Sequence, residues 1–115
     1  MEIKLIKKSE GITRTINKNY GVTNFLTKEL SKNLSVALSN AVKHCEKTKN
    51  TRSDRAYYIL KGKLTVRKGN KKFMAKKGEL IFIPKNTEYT FEGTFKAILI
   101  NSPAFRPQDE KTKYP

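Results

Sequence analysis

The stretch RSDRAYYILKGKLTVRKGNKKFMAKKGELIFIPKNTEYTFEG, from Arg52 to Gly93, reads as a run of short strands, each closed by a turn that its own residues specify. Ala56 to Leu60 has strand composition, Lys61-Gly62-Lys63 supplies a glycine turn or bulge, and Leu64 to Arg67 resumes the strand. Lys68-Gly69-Asn70-Lys71 is a reversal whose central residues tolerate positive φ, so Leu64–Arg67 and Lys72–Ala75 are predicted to form a hairpin. Lys76 to Glu79 turns the chain again. Leu80-Ile81-Phe82-Ile83 is a continuous apolar run, which predicts a strand buried on both faces. Pro84 ends it, because proline cannot donate to a sheet ladder.

Outward from this stretch the signals weaken. Upstream, Leu34 to Val42 alternates, with Leu34, Val36, Leu38, Asn40 and Val42 on one side and Ser35, Ala37, Ser39 and Ala41 on the other. Period 2 with serine, valine and asparagine favours a strand over a helix. The basic segment Lys43 to Arg52 reads as a loop leading into the core. Nearer the start, Ile3–Ile6, Arg14–Ile16 and Val22–Leu26 are short strand candidates, with a turn at Asn19-Tyr20-Gly21. Downstream, Tyr89–Glu92 and Phe95–Ile100 complete the strands. The tail 101–115, with Pro103, Pro107 and Pro115 among charged residues, is expected to be an extended arm. Strands at this spacing without a helical pattern mean an all-β sandwich or barrel.

Composition narrows the function classes. A chain of 115 residues is one domain's worth. No apolar run reaches the roughly 18 residues of a membrane helix, and the N-terminus lacks a signal-peptide core, so a cytoplasmic protein without a membrane partner is expected. Cys45 is the single cysteine, which excludes an internal disulfide. The net charge of +15 comes from 25 basic against 10 acidic residues spread from Lys4 to Lys113, which describes a solvated lysine-rich surface. Any nucleic-acid binding on that basis is expected to be non-specific.

Gly78-Glu79-Leu80-Ile81-Phe82-Ile83-Pro84-Lys85-Asn86-Thr87-Glu88-Tyr89 resembles the second sequence motif of the cupin superfamily, G-x5-P-x-G-x2-H-x3-N. Gly78 and Pro84 match, Asn86 replaces the second glycine, Tyr89 the histidine and Gly93 the asparagine. Tyr57 to Gly62 is similar to the end of the first motif, H-x-H-x(3,4)-E-x6-G, with Arg55 in the place of the glutamate and Thr48 to Thr51 in the place of the histidines. The resemblance covers about 34–100 and implies a single cupin domain over 1–115, a jelly-roll-like barrel or sandwich with N-terminal strands in 1–33. It also implies that the family's metal ligands are gone: imidazole and carboxylate ligands suit a transition metal, whereas a guanidinium at position 55 does not. No metal and no cofactor are therefore expected.

If Arg55 points into the barrel, Tyr57 and Ile59 follow it, and Tyr89 shares the inner face with Phe91. His44, Lys47 and Arg52 are placed at the rim. Arg55 either pairs with Asp54, Glu79, Glu88 or Glu92, or receives a ligand's carboxylate or phosphate, with Tyr57 and Tyr89 donating hydrogen bonds. The expected function is binding of a small anionic metabolite in the barrel mouth. Alternatives are a metal-independent isomerase or epimerase acting on a nucleotide-linked sugar, with His44 as base and Tyr89 or Tyr57 as acid, and a basic nucleic-acid-binding or regulatory module. Tyr58, Leu60 and Phe73 are expected to form an apolar surface covered in a homodimer.

Overall fold

Three long strands carry the architecture, and each is kinked at the same level. The computed structural model describes residues 2–113, so Met1, Tyr114 and Pro115 of the predicted domain and tail lie outside it. Among the described residues eight strands form one antiparallel sheet: β1 (Ile12–Asn17), β2 (Tyr20–Leu26), β3 (Ser35–Asn50), β4 (Asp54–Lys68), β5 (Lys71–Lys76), β6 (Leu80–Ile83), β7 (Tyr89–Ser102) and β8 (Glu110–Lys113). The only helical turns among the described residues are two short 3-10 segments, Lys8–Glu10 and Pro107–Asp109. β7 lies between β3 and β4 along their whole length. One half of these strands is flanked by β2 and β6, the other by β8 and β5.

The kinks turn one sheet into two facing layers. The β3–β7 register shifts between Ala41 and His44, where Lys43 takes φ 47°. The β4–β7 register shifts between Ile59 and Lys61, next to Gly62 with φ 79°. Gly93 of β7, with φ 131°, stands opposite both His44 and Leu64. A Cβ on Gly62 would lie 2.2 Å from the Thr94 carbonyl oxygen, and one on Gly93 2.4 Å from that of Lys63. The backbones approach so closely that only glycine fits, as expected at a corner made by bulges. The sheet folds over itself without closing, an all-β cupin architecture.

Between the layers lies the core of Tyr20, Tyr57, Ile59, Leu64, Val66, Phe91, Phe95, Ala97 and Leu99. The predicted parity of β4 and β7 holds: Arg55, Tyr57, Ile59, Tyr89 and Phe91 are buried and Tyr58 is exposed. The hairpin of β4 and β5 pairs Lys68 with Lys71, and only Gly69 of its turn takes positive φ. Asn86 has φ 61°, the left-handed geometry expected of a residue in the place of a glycine.

Several expectations need correction. Residues 3–6 form no strand, and Ile3 and Leu5 are exposed. The turn between β1 and β2 is at Lys18–Asn19, which leaves Tyr20 in a strand and in the core. The basic segment is not a loop: β3 continues through it to Asn50. Leu80 and Phe82 are exposed, so β6 is buried on one face only. Phe73 pairs with Val66, whose side chain is buried, and so faces away from the surface that carries Tyr58. The tail adds β8 to the edge of β3.

Candidate functional site

The bulge at Lys43 decides which side chains of β3 face inward. Before it the buried face is Ser35, Ala37, Ser39 and Ala41; after it the parity changes, and His44, Glu46, Thr48 and Asn50 are buried while Lys47 is exposed. Small residues in the first half leave space, and polar residues in the second half line it. The result is a cavity of about 580 Å³, with Ile12, Ile16, Val22 and Leu99 among its apolar walls and Glu46, Arg55, Tyr57 and Glu110 among its polar groups.

Arg55 is buried and almost fully engaged. Its Nε donates to Asn101 Oδ1 at 2.7 Å, Nη1 to Tyr89 Oη at 3.0 Å and to Glu110 Oε2 at 2.9 Å, and Nη2 to Glu110 Oε1 at 2.7 Å. Four of the five guanidinium N–H groups are thereby used. Its partner is Glu110 of β8, none of the four acidic residues expected, so the bidentate place for a ligand anion is already taken. Glu110 also accepts from Asn50 Nδ2 at 2.9 Å and from the Thr48 hydroxyl. Burial raises the Glu110 pKa, but Arg55 and these donors outweigh it and hold the carboxyl below its ordinary range.

Beside this pair, the Tyr57 and Tyr89 hydroxyls lie 2.7 Å apart, and burial pushes both phenols upward, so both are neutral at neutral pH. His44 Nε2 and Glu46 Oε1 are hydrogen-bonded at 2.9 Å. The imidazole stacks on Tyr20, with centroids 4.7 Å apart and planes 8° from parallel, and Tyr20 donates to or accepts from Ser39 Oγ at 2.8 Å. Burial holds the Glu46 carboxyl above its ordinary range, against the lowering effect of His44. Among the described residues every buried side-chain nitrogen and oxygen has a partner.

The residues singled out by sequence divide into two groups. Arg55, Tyr57 and Phe91 line the cavity; Tyr89 and His44 stand directly behind its wall, bonded to Arg55 and Glu46. Lys47 pairs with Glu88 at 3.5 Å, and Arg52 Nη1 donates to the Ala104 carbonyl at 3.4 Å; neither lines the cavity. Glu46 occupies the wall itself, and Arg14, Tyr20 and Glu110 join it unforeseen. Among the described residues no three His, Cys, Asp or Glu side chains are grouped to hold a metal. With Thr48, Asn50, Arg55 and Tyr89 on the inner face, the donors present do not fit the metal that the fold implies.

The sequence matches the family of the ethanolamine utilisation protein EutQ over residues 1–104. The chain belongs to the EutQ family. This EutQ-family chain resembles several solved cupin structures. Streptomyces PAC13 carrying a tyrosine-to-phenylalanine change, with uridine, superposes with a TM-score of 0.84 at 23% identity, covering 99% of this chain and 93% of that one. A further PAC13 structure, described as that of a nucleoside dehydratase, gives 0.84 at 21% identity, covering 98% and 92%. Clostridium difficile EutQ gives 0.68 at 25% identity, covering 88% and 75%. No curated protein sequence matches significantly. Among the described residues no helix is long and apolar enough to cross a membrane.

Proposed function

We propose that the cavity binds a small polar organic anion, a carboxylate, phosphate or sugar derivative, and that Glu46 exchanges a proton with it. The observation that carries this reading is the Glu46–His44 pair: a buried carboxyl with a raised pKa, backed by an imidazole and facing an apolar-walled cavity of about 580 Å³. Ligand sites have this size and this sparse polar lining. A carboxyl whose pKa is moved toward neutrality is suited to general acid–base work. Tyr57, neutral and lining the cavity, supplies a hydroxyl that Tyr89 and Arg55 orient. The nearby solved structures support a nucleoside-like ligand, since PAC13 is described with uridine in variants that replace tyrosine or histidine, the residue types found here at Tyr57, Tyr89 and His44. A metal-independent isomerase or epimerase on a nucleotide-linked sugar is the enzyme reading of the same site.

Solvent deuterium incorporation into a panel of nucleosides and nucleotide-linked keto sugars tests it. The wild type is expected to incorporate label, faster as pH rises through the raised Glu46 pKa, because a base must be ionised. Glu46→Gln is expected to slow it by about 100-fold or more. Ligand binding without incorporation on any substrate would reduce the function to binding alone.

We also propose that the outer face of the sheet pairs with a second copy of the chain. Phe82, Ala56, Ile100 and Val36 form one cross-strand row, and Leu80, Tyr58, Ile98 and Leu38 the next. Asp54 and Ser102 border these rows at one end, Lys96 and Asn40 at the other. A two-fold axis lying in the interface plane, perpendicular to the strands, would set apolar rows against each other and the acidic end against the basic end of the partner. Sedimentation is expected to give twice the chain mass at micromolar concentration, and the chain mass for Phe82→Glu. A monomeric wild type at that concentration would contradict the pairing.

A further inference from the structure

The charges around the cavity are unevenly satisfied. At its inner wall stand two carboxyls, Glu46 and Glu110, and one cation, Arg55, which Glu110 grips through both oxygens. An anionic group entering there would meet Glu46 and find one guanidinium N–H left. Toward solvent the wall is formed by β1, β2 and the loop after β2, with Arg14, Lys28 and Glu29 among its residues. Lys28 lies 3.8 Å from Glu29, and both are exposed. Arg14 is exposed on β1 and, among the described residues, has no carboxylate partner.

We propose that Arg14 binds a terminal phosphate at the outer end of the ligand, whose uncharged polar end reaches Glu46 and Tyr57. The inference rests on the reading of the cavity as a ligand site and adds the ligand's polarity to it. A guanidinium with free N–H groups matches phosphate oxygens two at a time. The inner wall, with its charges already balanced or acidic, favours hydroxyls and amides instead. A nucleoside 5′-monophosphate has this arrangement, with charge at one end and neutral donors and acceptors at the other. The net charge of +15 draws such an anion toward the molecule, but the placement of its phosphate is set by Arg14.

Calorimetric titration with uridine and uridine 5′-monophosphate reads this out. The wild type is expected to bind the monophosphate about tenfold more tightly than uridine. Arg14→Met is expected to bring the ratio close to one by weakening the monophosphate while uridine still binds, which also shows that the variant is folded. Arg14→Lys is expected to restore part of the preference. Equal affinities in the wild type, or a preference that survives Arg14→Met, would overturn the role of Arg14 and leave the cavity reading intact. Binding of neither compound would remove the nucleoside-like reading of the cavity and this inference with it.

Discussion

Replacing Glu110 by alanine is expected to destabilise the fold by roughly 3–5 kcal/mol, the cost of leaving a buried guanidinium without its carboxylate. Arg55 is nearly inaccessible, and its Asn101 and Tyr89 partners are neutral, so nothing else in its shell replaces the lost charge. The change also strips Thr48 and Asn50 of their acceptor. In a domain of this size the loss lowers Tm by roughly 10–20 °C. Arg55→Met combined with Glu110→Ala should cost about 2 kcal/mol less than the sum of the single changes, because the second removes the charge that the first would leave unpaired. The pH dependence has a defined sign. The Glu110 pKa is lowered in the folded state, so its contribution is present above the ordinary carboxylate value of 4.5 and is lost as pH falls through the depressed one. Glu46 works the other way: its pKa is raised, so it favours the folded state below 4.5 and that advantage fades as pH rises through the raised value. Thermal denaturation between pH 3 and pH 7 checks both. An alanine variant within about 1 kcal/mol of wild type would place the pair outside the set of stabilising interactions.

Phe91→Ala is expected to have an effect of similar size, about 3–5 kcal/mol, for a different reason. Its ring is 1% exposed and sits among five others: Tyr20 at 5.6 Å, His44 at 5.5 Å, Tyr57 at 5.9 Å, Tyr89 at 6.1 Å and Phe95 at 6.3 Å between centroids. Removing it opens a void that relaxation fills only in part, and it frees the imidazole and phenols that back the cavity wall. Stability and ligand affinity should therefore fall together. Phe91→Leu, closer in volume, is expected to cost less than alanine while still loosening the Tyr20–His44 stack. Chemical denaturation of the two variants distinguishes packing from polar effects, since neither substitution alters a charge. A Phe91→Ala variant as stable as Phe91→Leu would mean that the ring is not the keystone of the cluster.

The parts of the fold that were legible in the sequence are those where apolar alternation and turn chemistry agree. Arg55, Tyr57 and Ile59 on one strand, and Tyr89 and Phe91 on another, could be assigned to the inner face because the cupin resemblance implied that position 55 points inward and strand alternation carried the rest. The segment from Lys43 to Asn50 defeated the same logic. It alternates too, but polar against polar, with His44, Glu46, Thr48 and Asn50 inside and lysines outside, since it lines a site instead of a dry core. The bulge that turns His44 and Glu46 inward rests on Lys43 in a left-handed conformation, with no glycine to announce it. Glu110 was hidden by separation: it returns from 55 residues along the chain to reach Arg55, out of a proline-containing tail without strand periodicity. Arg14 lies on a short strand that is mostly exposed and weakly patterned. The apolar run of β6 misled because a face left open to solvent and a face packed in a core have the same composition.

The central claim is that the space between the layers is a ligand site whose inner wall is Glu46, Arg55, Tyr57 and Glu110. Its most direct test is a titration of the isotopically labelled chain with uridine 5′-monophosphate, followed by backbone amide chemical shifts. The predicted result is a saturable set of shifts concentrated at Arg14, Tyr20, Glu46, Tyr57, Phe91 and Glu110, with Tyr58, Leu80 and Phe82 on the outer face unmoved. Shifts confined to surface lysines and abolished by moderate salt would contradict it, since they would report only the attraction of an anion to a strongly basic surface.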